Sequence, residues 1–163
     1  MSLPELDREG RINILEIWEF HLEKSQKHLA ESFWDTIVIP YWDWCEHQHY
    51  LALTDGDTER SKFWELLPLS YDTFPKAVKR AIHRPPSSLG QVYSFLKRIL
   101  KTDFATRYPD EFTALLIVLI QIDQYPYGNK DNWGKLWHSI KDSGAKKIGE
   151  LRDELAKKKV IDE

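Results

Sequence analysis

Along most of the chain, apolar side chains return every three or four positions, the spacing of one face of an α-helix. Segment 8–23 sets Ile14, Ile17, Trp18, His21 and Leu22 on one side, with Leu15 beside them and Glu16, Glu19 and Glu23 facing away. A second helix is predicted from about Ala30 through Trp34 and Ile37 to Ile39. Pro40 has no amide donor and disfavours helical backbone at Ile39, so the helix should kink or restart before running on as YWDWCEHQHYLAL. The break TDGD at 54–57 ends it, and Asp57 or Thr58 can cap a helix over 58–67 that carries Phe63, Trp64 and Leu67.

Pro75 is pre-organised for a helix start, so a helix is predicted over 75–83. Its apolar side is Phe74, Ala77, Val78, Ala81 and Ile82, and its other side is Lys76, Lys79, Arg80 and His83. Ser87 or Ser88 caps a helix over 89–101 with Leu89, Val92, Tyr93, Leu96, Ile99 and Leu100 as its stripe. TDFATRY reads as a short turn into a helix over 109–123, which is apolar nearly all round and therefore predicted to be the central element. After the loop QYPYGNKDN, Asp131 is the expected cap of a short helix carrying Trp133, Leu136, Trp137 and Ile140. A last helix is predicted over 145–159, with Ile148, Leu151 and Leu155.

The stretches DTFPKAVKRAI and TRYPDEFTALLI align without gaps, 34 residues apart. Phe74 matches Tyr108, Pro75 matches Pro109, and Val78, Ala81 and Ile82 match Phe112, Leu115 and Leu116. Pro40 is a third, poorer match. A period of this size is typical of stacked helical hairpins. The predicted fold is all-α: an irregular stack of antiparallel hairpins in the style of HEAT repeats, with about seven or eight helices. One helical domain is expected over 1–163, with 1–3 a leader ahead of an excised segment and 124–163 packed less tightly.

Net charge is only −3, but its distribution is uneven. Residues 1–57 hold 4 basic and 12 acidic side chains, and residues 58–109 hold 10 basic and 4 acidic. Lys76, Lys79, Arg80 and Arg84 share one helix face, and Lys97, Arg98 and Lys101 lie on the outer face of the next helix. Such a strip either attracts phosphates or pairs with the acidic first third.

Cys45 is the single cysteine, which excludes a disulfide within the chain and favours a reducing, cytoplasmic setting. No apolar run approaches the length that spans a bilayer. Cys45 and His49 are four apart and would share a helix face, as zinc-binding pairs can; His47 points elsewhere, and His21 and His28 are the other histidines at hand. Neither HExxH nor a paired CxxC accompanies them, so no metal and no cofactor are expected. There is also no Gly-x-Ser-x-Gly elbow and no phosphate-binding glycine loop. Trp42 and Trp44 cannot both face inward on one regular helix, so one of them is expected nearer a partner surface.

In order, FWDTIVIPYWDW, a Trp-containing amphipathic helix, FPKAV and YPDEFTALL resemble a helical family of unknown function, over residues 11–122. That family forms the C-terminal end of large bacterial proteins, many with a sirtuin-like domain. Its pattern has an arginine shortly after the Tyr-Trp pair, where this chain has Trp44, Cys45 and Glu46. The resemblance implies no catalytic residue here; chemistry would sit elsewhere in a longer protein. The expected role is a non-catalytic interaction or regulatory module whose partner is a protein or a neighbouring domain. Two alternatives stand beside it: a nucleic-acid-binding module using the strip over 76–101, and a stand-alone immunity-type protein or enzyme.

Overall fold

A computed structural model describes residues 7–47 and 56–162. The described residues are all-α, with no strand. They divide into two compact units, which part between Pro86 and Ser87.

The first unit opens with helix α1 (Arg8–Lys24), capped by Asp7, whose Oδ1 accepts a hydrogen bond from the Gly10 amide at 2.8 Å. Its buried line is Arg11, Leu15, Trp18 and Leu22, at spacings of four, seven and eleven. This rotates the helix away from the expected face. Ile17 is 59% exposed, and His21 is also at the surface. Arg11 turns inward on this face, its guanidinium 3.8 Å from the buried Glu59 carboxylate, a contact that an apolar pattern alone does not register.

Helix α2 (Lys27–Phe33) passes through a π-helical turn, Trp34–Val38, into α3 (Ile39–His47). The Ile39 amide donates to the Trp34 carbonyl, five residues back. The wider turn lets helical backbone run through Pro40, whose ring would otherwise press on the carbonyl four residues before it. The expected restart at Pro40 thus takes the form of a π turn followed by α3, with Pro40 as the second residue of the new α-helix. An aromatic cluster joins the helices: Trp18 meets Phe33 and Tyr41 edge-on at 5.7 and 5.3 Å, and Trp42 stacks on Phe63 at 4.6 Å.

Phe63 belongs to α4 (Gly56–Leu66), with Asp57 and Thr58 inside its first turns instead of ahead of them. Two 3₁₀ turns, Leu67–Leu69 and Tyr71–Thr73, lead to α5 (Phe74–His83), which Pro75 opens as expected. The buried Trp34 indole donates to the Leu69 carbonyl at 3.1 Å and ties the first of these turns to the π turn.

In the second unit, α6 (Val92–Leu100) starts three residues later than predicted, because Gly90 and Gln91 form a turn. The expected turn after it contains a short helix, α7 (Phe104–Arg107), which buries Phe104. Helix α8 (Pro109–Ile122) is the core element of this unit, burying Phe112, Leu115, Leu116, Leu119 and Ile120 almost completely. A 3₁₀ turn (Tyr127–Asn129) runs into α9 (Lys130–Ile140), so Asp131 lies within the first turn and is not a cap. Helices α9 and α10 (Ile148–Lys157) bury Trp133, Leu136, Ile140, Leu151 and Leu155.

Candidate functional site

Cys45 is buried on α3, one turn from the phenol of Tyr41. Burial pushes its thiol up from 9.0 to about 12, so almost no thiolate exists near neutral pH. Burial, then the nearby Cys45 sulfur, raise the Tyr41 phenol as well. Neither group is prepared for nucleophilic or acid–base work. His21, His28 and His47 are exposed, while His49 lies outside the described residues. Among the described residues no group of three or more His, Cys, Asp or Glu side chains could hold a metal ion.

The α5 half of the basic strip faces acidic partners within its own unit. Lys76 Nζ lies 3.2 Å from Asp35 Oδ1. Arg80 donates from Nε and Nη2 to the two oxygens of Asp43 at 2.7 and 2.9 Å. Arg84 donates to Glu46 Oε2 at 3.3 Å, and the largely buried Arg60 donates to Glu46 Oε1 at 3.0 Å. Lys79 is exposed. These pairs form a ladder along α5, and the charge asymmetry of the sequence is here a set of helix-to-helix contacts. With His47 and His83, the rungs at Asp43 and Glu46 line an open cleft of about 630 Å³.

The α6 half lies in the second unit. Lys97 and Lys101 are exposed, and Lys97 Nζ sits 5.3 Å from the centre of the Tyr93 ring. Arg98, beside them, is partly buried.

A surface that the sequence patterns do not flag adjoins these cations. Tyr93, Tyr125 and Tyr127 are 57%, 77% and 67% exposed. Tyr93 and Tyr125 line a cleft of about 580 Å³ with Ser88, Gln91, Gln124 and Asn129. Its floor is organised by Asp123, only 5% exposed. The Asp123 carboxylate accepts hydrogen bonds from the Trp133 indole at 2.9 Å, the Tyr125 amide at 2.9 Å and the Asn129 side-chain amide at 3.2 Å. These bonds fix the loop that carries Tyr125 and Tyr127 against α9. Lys130 Nζ lies 5.4 Å from the centre of the Tyr127 ring. The helical spacing puts Tyr93 on the apolar stripe of α6, and the sequence of residues 124–132 predicts no more than a connecting loop. The available signal was three tyrosines beside Lys97 and Lys130.

Trp42 is buried and Trp44 half-buried, stacked on Tyr41 at 6.3 Å. No described helix is long and apolar enough to cross a membrane. Compared with protein-family models, curated proteins and solved structures, the chain matches none of them.

Proposed function

We propose that this chain is a non-catalytic helical interaction module, working in the cytoplasm beside a protein partner or a neighbouring domain of a longer protein. The observation that carries the reading is the contrast between reactive and contact residue types. The one cysteine is buried and held protonated, whereas three tyrosines stand exposed on one unit, two of them, Tyr93 and Tyr125, lining a cleft whose floor is the hydrogen-bonded Asp123. Exposed, well-oriented rings supply contact area at little entropic cost, which suits binding more than turnover. The resemblance to the C-terminal helical family is in keeping with this reading, since no catalytic residue is assigned to that region.

Site-specific photo-crosslinking tests the reading. A photoreactive phenylalanine at position 125 should give a discrete, recurring adduct in cells, and the same group at position 76, within the ion-pair ladder, should not. Equal labelling from both positions, or none from either, would remove the support.

A further inference from the structure

We infer that the tyrosine-lined cleft of the second unit takes a single-stranded nucleic acid, with bases stacked on Tyr93 and Tyr125 and phosphates drawn to Lys97 and Lys101. The inference rests on the interaction-module reading and names the ligand class for one of its surfaces. Three observations support it. First, the exposed rings line a common cleft. Every base offers a flat π-face, so such rings hold bases without needing a particular sequence.

Second, the cations repeat along the same helix as one of the rings. Tyr93 and Lys97 lie four apart on α6 and Lys101 follows four residues on, at its C-cap, all three exposed, while Lys130 Nζ lies over the Tyr127 ring in the neighbouring loop. A ligand that alternates flat rings with negative charges matches this order. An acidic peptide matches the lysines but leaves the rings without flat partners. Third, the acidic residue in the cleft lining is already engaged. Asp123 accepts from Trp133, Tyr125 and Asn129, which offsets its repulsion of a phosphate backbone, and Ser88, Gln91 and Gln124 offer neutral polar groups to base edges. The α5 half of the strip is not part of this site, since Lys76, Arg80 and Arg84 face carboxylates of their own unit.

Fluorescence anisotropy of labelled oligo(U) and oligo(dT) of about 12 nucleotides, titrated with the intact chain in about 50 mM salt, provides the test. Saturable binding is expected, weakened roughly tenfold or more by Tyr93→Ala/Tyr125→Ala and by Lys97→Glu/Lys101→Glu, and falling steeply by about 200 mM salt. Lys79→Ala should change it less than about twofold, and duplex of the same length should bind more weakly. All substituted residues are exposed, and circular dichroism confirms that each variant keeps its helices. Absence of binding at low salt, or binding indifferent to the tyrosines, would overturn the inference. If oligonucleotides fail while position 125 still crosslinks to a discrete protein, the nucleic-acid assignment falls and the interaction-module reading stands. If both fail, both fall.

Discussion

Arg80 and Asp43, 37 residues apart in sequence, join α5 to α3 through two parallel hydrogen bonds at 2.7 and 2.9 Å. This paired geometry is the strongest form of the arginine–carboxylate contact, and it fixes how the two helices align. Because the Asp43 side chain is half exposed, the pair contributes no more than about 1 kcal/mol. Arg80→Ala should therefore lower unfolding free energy by about 0.5–1 kcal/mol, with Arg80→Lys recovering only part. A double-mutant cycle with Asp43→Ala, followed by urea denaturation, measures the coupling. Strict additivity of the two single changes would mean that the contact adds nothing to stability, against this expectation.

The rotation of α1 gives a sharper pair of outcomes. Trp18 is buried in the aromatic cluster and Ile17 is at the surface. Trp18→Ala should cost about 3–5 kcal/mol, and Ile17→Ala no more than about 0.5 kcal/mol. Chemical denaturation of the two variants decides which face is inward. Equal losses would restore the face predicted from the apolar pattern.

Asp123 collects three N–H donors, so its removal strands more than one of them. Asp123→Ala should destabilise the chain by about 3 kcal/mol, and Asp123→Asn by less, because an amide oxygen still accepts. The exposed tyrosines should respond too. Loosening the 124–129 loop is expected to raise amide exchange at Tyr125 and Asn129, as hydrogen-exchange mass spectrometry would show. Unchanged exchange in Asp123→Ala would separate the carboxylate from the loop.

Cys45 makes stability depend on pH in the alkaline range. Its folded pKa is raised by burial from 9.0 to about 12, so the folded state binds the proton more tightly than the unfolded chain does. Its contribution is therefore complete below pH 9 and is lost as pH rises from 9 toward 12, at up to about 1.4 kcal/mol per pH unit. Tyr41, shifted in the same direction, steepens the fall at the upper end. Urea midpoints measured from pH 8 to 10.5 should decline beyond pH 9, and less steeply in Cys45→Ala. A flat profile in the parent chain would contradict the burial of the thiol.

How much of this the sequence disclosed depends on the kind of interaction. The α8 helix was legible because Ala114, Ile117 and Val118 fill the sides that the stripe of Phe112, Leu115, Leu116, Leu119 and Ile120 leaves open. Pro75 and Pro109 were legible as helix starts because proline's fixed φ acts locally. The phase of α1 was not, because a buried Arg11–Glu59 contact between distant residues helps to set it. The π turn was legible only as a break at Pro40, because proline marks where a regular helix must adjust and not which hydrogen-bond pattern replaces it. Charge asymmetry hinted at the ion-pair ladder, but the rungs made by Lys76, Arg80 and Arg84 join residues 37 to 41 apart and become visible only in the fold. The tyrosine cleft was the least legible feature. A ring at the edge of an apolar stripe, such as Tyr93, has the spacing of a core residue whether it faces in or out.

A turnover screen bears most directly on the claim that this chain binds and does not catalyse. The purified chain would be incubated with chromogenic esters, phosphoesters, glycosides and peptides, with and without added divalent metals. Rates equal to the buffer blank are predicted for every class. A rate that follows the protein through purification and disappears in Cys45→Ala, or on substitution of His47 or His83 in the charged cleft, would contradict the account.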